Sequence, residues 1–448
     1  MQATRASLVL SLLLMLCLCA AASAQRAVGI ESMKLLTPEV GWAATRSSLF
    51  WTTDNGEHWK DITPRAKTQR GIASVFFLDT SNGWVLLTHA GKEDPATGVS
   101  GTLFELASTD NSGGSWSVRP LDVPDPDPSR GLSGEAWLDF ADPQHGWAMI
   151  RMNSSTAVSF GVLLVSDDGG KTWKSPQTGP PIAETPYFVT TKTGWLAGGP
   201  EEQLFVTHDG GENWEKVSLK VPPQAQAVKQ AVPGYDLPVF EDANRGFLMV
   251  SYSNGSDFAL VLFSTNDGGQ TWKPNRTLPS VEESAVMVVR ANWFAAAISQ
   301  HGDTLTLTKV PLTDAASLAV AMKASLGHIS GVRRLGGMHN ELTLADETHG
   351  WVLAGELLST SDGGASWTDV TPESAKKGSV PRASAGGSGE PAVMDAQGRN
   401  TPLVPSVNPD LSMHLAFDIT RVLCTVPLNS CYYEDSQAVY HGFVATPQ

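Results

Sequence analysis

At 448 residues, with 41% apolar residues and a mean hydropathy of −0.11, the chain has room for two or three ordinary domains or for one large repeat fold with a sizeable core. Its formal charge of −15 argues against nucleic acid or an anionic membrane surface as partner, because phosphate-rich partners need clustered positive charge. The 42 glycines and 28 prolines point to frequent turns, which favours an all-β fold.

At the N-terminus, Arg5 precedes an apolar run from Leu8 to Cys19 and then small residues ending Ala22-Ser23-Ala24 before Gln25. That order predicts a cleavable signal peptide over 1–24, whose apolar run is too short to span a bilayer comfortably. Cys17 and Cys19 lack the small residue that a lipid-attachment box wants just before the cysteine. A secreted or periplasmic protein is therefore expected, with no lipid anchor and no integral membrane segment after cleavage.

Two short motifs then alternate through residues 25–372. The first is Ser/Thr-x-Asp-x-Gly-x-x-Trp, found at Thr52 to Trp59, Ser166 to Trp173, Thr207 to Trp214, Thr265 to Trp272 and Thr360 to Trp367, and with one extra residue at Ser108 to Trp116. Its carboxylates are Asp54, Asp110, Asp168, Asp209, Asp267 and Asp362; its rings are Trp59, Trp116, Trp173, Trp214, Trp272 and Trp367. A strand entering a tight turn can use the hydroxyl and carboxylate to hold backbone N–H groups, glycine supplies positive φ, and the tryptophan folds back under the hairpin. This predicts a self-contained clip, and repetition makes its aspartates structural rather than catalytic.

The second series is Gly41-Trp42, Gly83-Trp84, Gly146-Trp147, Gly194-Trp195, Asn292-Trp293 and Gly350-Trp351, with Gly246-Phe247 once. A β-prone run precedes each, as in Val75-Phe76-Phe77-Leu78-Asp79 and Val239-Phe240-Glu241-Asp242. Successive units lie 42 to 63 residues apart, the length of a four-stranded propeller blade plus variable loops. Seven units and six clips predict a seven-bladed β-propeller, the Trp293 unit having only a weak hairpin at Gly302-Asp303. Neighbouring blades would cover each other's faces and ring closure would protect the sheet edges.

The clips resemble Asp-boxes of the bacterial neuraminidase repeat. The Gly-Trp turn followed by a Leu-Phe-x-Thr-x-Asp-Gly-Gly-x-x-Trp pattern resembles propellers of the photosystem II assembly-factor type, over roughly residues 28–370. The resemblance implies the fold but not one activity, since sialidases, xyloglucan hydrolases, sorting receptors and assembly factors share it. Sialidase chemistry is not expected: no Arg-Ile-Pro stands early in the chain, and Tyr187, Tyr235 and Tyr252 are the only tyrosines before the tail.

Residues 373–410 read as a Ser/Gly/Pro-rich linker, and residues 411–448 as a tail or the start of a further domain. In an oxidising compartment Cys424 and Cys431, separated by six residues, are expected to form a disulfide. No catalytic residue, metal or cofactor is assigned: Gly169-Gly170-Lys171-Thr172 belongs to a clip rather than a phosphate loop. Asp139, Asp142, Glu241 and Asp242 are the loop-end carboxylates a hydrolase would draw on. The sequence predicts a noncatalytic scaffold presenting unequal loops, Thr88 to Gly101 and Met152 to Phe160, to a protein or glycan partner. A glycoside hydrolase or lyase is the competing reading.

Overall fold

The computed structural model describes the backbone from residue 29 to 278, except 66–70, 94–99, 125–130, 155–158, 200 and 255–256, and thereafter individual strands and residues 342–376 with short gaps. Side chains are described up to residue 275 and from 343 to 376, again with gaps, so the expected signal peptide lies outside the described residues. The chain divides between Pro372 and Glu373.

Within Gly29–Pro372 the strands form successive antiparallel sheets, each a simple up-and-down meander. Blade 1 is β1 (Ile30–Leu35), β2 (Gly41–Thr45), β3 (Leu49–Thr52) and β4 (Lys60–Asp61). Blade 2 is β5 (Gly71–Phe77), β6 (Gly83–Glu93), β7 (Ser100–Thr109) and β8 (Ser117–Leu121). Blade 3 has β9 (Leu132–Phe140), β10 (Gly146–Met152) and β11 (Gly161–Ser166), its fourth strand reduced to a bridge of Val165 with Lys174. Blade 4 is β12 (Tyr187–Phe188), β13 (Gly194–Gly198), β14 (Gln203–Thr207) and β15 (Glu215–Val217).

In blade 5 the inner strand is broken into β16 (Val232–Tyr235) and β17 (Val239–Phe240), both paired to β18 (Gly246–Ser253), followed by β19 (Phe258–Thr265) and β20 (Lys273–Leu278). The break holds Pro238, which has no N–H to give to a ladder. The unit at Trp293 pairs β21 (Ser284–Val289), β22 (Asn292–Ile298), β23 (Thr304–Pro311) and β24 (Val320–Ser325). The final blade is β25 (Leu342–Leu344), β26 (Gly350–Leu353), β27 (Leu357–Thr360) and β28 (Thr368–Asp369).

The fold is an all-β propeller. Against the seven blades expected, six are described with their packing; the Trp293 unit contributes strand pairing, and its side chains lie outside the described residues. The last blade meets the first: β25 lies beside β1 as well as beside β21. At the seam Leu35 N–H donates to Thr343 Oγ1 (3.3 Å), Trp59 Nε1 to Val370 O (2.6 Å) and Trp351 Nε1 to Asn55 Oδ1 (2.7 Å).

The residue before each buried tryptophan must be small for a steric reason. Phe77, Phe140, Phe188 and Phe240 are the cross-strand partners of Gly83, Gly146, Gly194 and Gly246, and each ring lies over its glycine where a Cβ would sit within 2.8 Å. The phenylalanine's own blade supplies a clip tryptophan edge-on, and the preceding blade supplies the Gly-Trp indole. Phe140 stacks on Trp84 at 3.7 Å and meets Trp173 edge-on at 6.2 Å; Phe188 stacks on Trp147 at 3.6 Å and meets Trp214 at 6.1 Å. Each such triad is worth about 0.5–1.5 kcal/mol per ring pair beyond area burial. This is how a local motif becomes interblade packing.

After Pro372, residues expected as a linker include a helical turn, Glu373–Lys376, and β29 (Arg382–Ser384), β30 (Ala392–Met394) and β31 (Asn400–Pro405). A sheet joins these in the order β29-β30-β31-β34-β33-β32 with β32 (Arg421–Cys424), β33 (Cys431–Glu434) and β34 (Tyr440–Ala445). Cys424 and Cys431 are directly opposed in the β32–β33 register.

Candidate functional site

The clips close on themselves in one repeated way. Thr52 Oγ1 donates to Asp54 Oδ1 (2.7 Å) and accepts Gly56 N–H (2.9 Å), while Asp54 Oδ1 also accepts His58 N–H (2.9 Å). Asp168, Asp209, Asp267 and Asp362 repeat this with the hydroxyls of Ser166, Thr207, Thr265 and Thr360. For Asp267 and Asp362 the hydroxyls of Thr271 and Ser366, then their N–H groups, hold the carboxyl down at about 2. At Asp168 burial pulls upward and the Thr172, Ser166 and Lys171 donors outweigh it, again giving about 2.

Two expectations are corrected here. In blade 2 the carboxylate position is filled not by Asp110 but by Asn111: Thr109 Oγ1 donates to Asn111 Oδ1 (2.9 Å), which accepts Ser115 N–H (2.9 Å), while Gly113 N–H reaches Thr109 Oγ1 (3.0 Å). Thr109 to Trp116 is thus in register with no extra residue, an amide oxygen replacing a carboxylate oxygen. Nor is the clip self-contained. Of the clip indoles, Trp173 bonds its own clip at Gly170 O (3.1 Å), whereas Trp59 and Trp116 reach Val370 O and Ile62 O (2.7 Å) of the preceding blade. Trp214, Trp272 and Trp367 keep a buried N–H without an acceptor among the described residues. The clip rings are only half-buried, because their outer edge faces solvent, unlike Trp84, Trp147 and Trp195.

Every described clip also docks on the Gly-Trp turn of its own blade, by Asn55 N–Glu39 O, Ser112 N–Ser81 O, Gly169 N–Gln144 O, Gly210 N–Lys192 O, Gly268 N–Asn244 O and Gly363 N–Thr348 O. Those turns have a cap of their own: Asp79, Asp142, Asp242 and Asp346 each accept two backbone N–H groups, and Thr37 and Thr190 stand in where no aspartate does. An Asp four residues before Gly-Trp was the signal available in the sequence. Asp54, Glu57 and His58 cluster closely enough to invite a metal, but His58 occupies the position where Thr172, Asn213, Thr271 and Ser366 bind the same carboxylate, so it closes the clip.

Residues 164–175, the third-blade clip, match the BNR/Asp-box repeat, in agreement with this geometry. The chain is a β-propeller that carries the Asp-box repeat. It is 28% identical over 165 residues to the photosystem II assembly lipoprotein Ycf48 of Synechococcus sp. (strain CC9902), a stretch covering 36% of this chain and 41% of that protein. Two solved structures resemble it: YCF48 bound to D1 peptide, at 14% identity and TM-score 0.41 over 86% of this chain and 96% of the other, and YCF48 from Cyanidioschyzon merolae, at 13% and 0.39 over 85% and 97%.

In the six described clip-bearing blades the clips and Gly-Trp turns occupy one end, so the second-to-third-strand loops and the interblade connections form the other. There Arg151 pins blade 3 to the connection that follows it: its guanidinium pairs with Glu135 and with Glu184 (2.9 Å), donates to Ala183 O (3.1 Å) and lies 4.8 Å from the Trp137 ring centroid. Burial raises the Glu184 carboxyl, against the pull of Arg151. The expected long loop Thr88 to Gly101 is mostly ribbon, β6 running to Glu93 and β7 starting at Ser100; residues 94–99 and 155–158 lie outside the described residues.

The four expected loop-end carboxylates sit on an inner strand or in turns. Asp142 and Asp242 are turn caps, and Glu241 pairs with Arg245 across the turn. Asp139 is buried on the inner strand of blade 3 and accepts Phe188 N–H from blade 4. Burial pushes it up to about 7, opposed by that N–H and by the Lys34 charge.

Proposed function

We propose that this propeller is a noncatalytic, extracytoplasmic scaffold that presents its loop end to a protein partner during binding or assembly. The observation that carries this reading is the employment of the carboxylates. All four that a hydrolase would draw on, Asp139, Asp142, Glu241 and Asp242, are engaged in turn caps, a turn ion pair or an interblade hydrogen bond. The assembly role in the name of the photosystem II relative it partly matches supports a protein rather than a glycan as partner. The signal-like N-terminus supports export, as does the opposition of Cys424 and Cys431, which suits a disulfide.

The test is cross-linking of the full chain in its native compartment beside a turnover screen on sialosides, plant glucans and bacterial wall glycans. A stoichiometric protein partner with no turnover is the expected result. Turnover lost on a single carboxylate-to-amide substitution would replace this reading with the hydrolase.

A further inference from the structure

The inner strands meet the axis with one edge each. Leu36, Leu78, Ala141, Val189, Glu241 and Ala345 bond back across their turns, so by strand alternation the N–H groups just before them, of Leu35, Phe77, Phe140, Phe188, Phe240 and Leu344, point toward the axis. A buried edge N–H without an acceptor costs about 1–3 kcal/mol. Three junctions answer with an oxygen sent forward from the preceding blade. Thr343 Oγ1 accepts Leu35 N–H, Asp139 Oδ2 accepts Phe188 N–H and Tyr187 Oη accepts Phe240 N–H (3.3 Å).

Those three residues share one register position, opposite Trp351, Trp147 and Trp195. In blade 1 the same position, opposite Trp42, holds Lys34. An ammonium only donates. Between blades 1 and 2 a donor therefore stands at the register position where those three junctions have an acceptor. Lys34 Nζ lies 5.6 Å from the Phe76 ring centroid and makes no hydrogen bond or ion pair among the described residues; protein around it lowers the pKa of the ammonium, and the Asp139 charge works against that.

We propose that the axial gap between blades 1 and 2 binds one carboxylate, held by Lys34 Nζ and Phe77 N–H against the Phe76 ring. Two donors carrying one positive charge match the two oxygens and single charge of that group, and a charge-assisted bond in a walled site is stronger than one in open solvent. Among the described residues the same position on the other inner strands is held by Phe76 on β5, Asp139 on β9, Tyr187 on β12, Val239 on β17 and Thr343 on β25, and of these the Asp139 charge reaches Lys34. Asp139 is near neutral below about pH 7 and repels a second carboxylate above it, so binding weakens as pH rises through about 7. The site goes beyond the scaffold reading and stands without it.

Calorimetric titration of the full chain with acetate, at constant ionic strength made up with chloride, tests this. One saturable site is expected, weakened at least about tenfold by Lys34→Gln and kept within about threefold by Lys34→Arg. The glutamine amide oxygen supplies the missing acceptor, so that variant melts no lower than the parent without acetate. Unsaturable heats in the parent, or equal binding by Lys34→Gln, overturn the proposal. A pentapeptide with a free C-terminal carboxylate, compared with its amide, distinguishes the source. Tighter binding than acetate, lost on amidation, assigns the site to a polypeptide-borne carboxylate; acetate binding alone assigns it to a free anion.

Discussion

Asp139 and the clip aspartates respond to pH in opposite senses. The Asp139 pKa is raised from its ordinary value to about 7, so the folded ring holds that proton more tightly than the unfolded chain does. Its contribution is fully present below about pH 4 and is lost as pH rises to about 7. The clip carboxyls near 2 contribute stability above about pH 4 that is lost as pH falls toward 2. Melting curves from pH 3 to 8 should therefore show Asp139→Asn gaining on the parent as pH rises from 4 to 7, with little difference at pH 4. A constant offset would place the effect in packing instead. At the seam, Asn55→Gly removes the oxygen that takes Trp351 Nε1–H while tolerating the positive φ of 56°. Urea unfolding should show a loss of about 1–2 kcal/mol.

The clip is the element in which sequence and structure correspond most closely, and its one misreading is informative. Blade 2 has adjacent Asp110 and Asn111, and a search for carboxylates selects the first, although the turn needs only an oxygen two residues after the hydroxyl. Asp110→Ala should change stability by less than about 0.5 kcal/mol. Asn111→Ala should cost about 1–2 kcal/mol, with Asn111→Asp close to the parent, by the same denaturation measurement. The second clip glycine is held by its backbone: at Gly170 φ is +85°, a conformation that side-chain-bearing residues rarely adopt, and an added Cβ would lie 2.5 Å from the end of the Leu106 side chain in the preceding blade. Gly170→Ala is expected to lower stability by about 2 kcal/mol or more.

For the whole molecule, the blade repeat was legible because each motif is completed within about eight residues by local turn chemistry, which a sequence displays directly. What lies between blades was not. The acceptor for Leu35 is Thr343, and Asn55 and Trp351 come together only when the ring closes, so no local pattern announces them. Lys34 likewise reads as an ordinary polar strand residue until its register against Thr343, Asp139 and Tyr187 is known. Tryptophan burial follows the same division, with the Gly-Trp rings deep in the interfaces and the clip rings at the rim.

The loop end is proposed as the working face because the clip end is occupied by its own turns, docked on one another in every described blade. Exposed lysines mark both ends: Lys220 and Lys229 on the connection between blades 4 and 5, and Lys171, Lys174 and Lys192 on clips and Gly-Trp turns. The most direct measurement is mass-spectrometric mapping of lysine cross-links between the full chain and its partner in the native compartment. Cross-links through Lys220 and Lys229 are expected, with Lys171, Lys174 and Lys192 unlinked. Cross-links concentrated on those three clip-end lysines would contradict a loop-end working face.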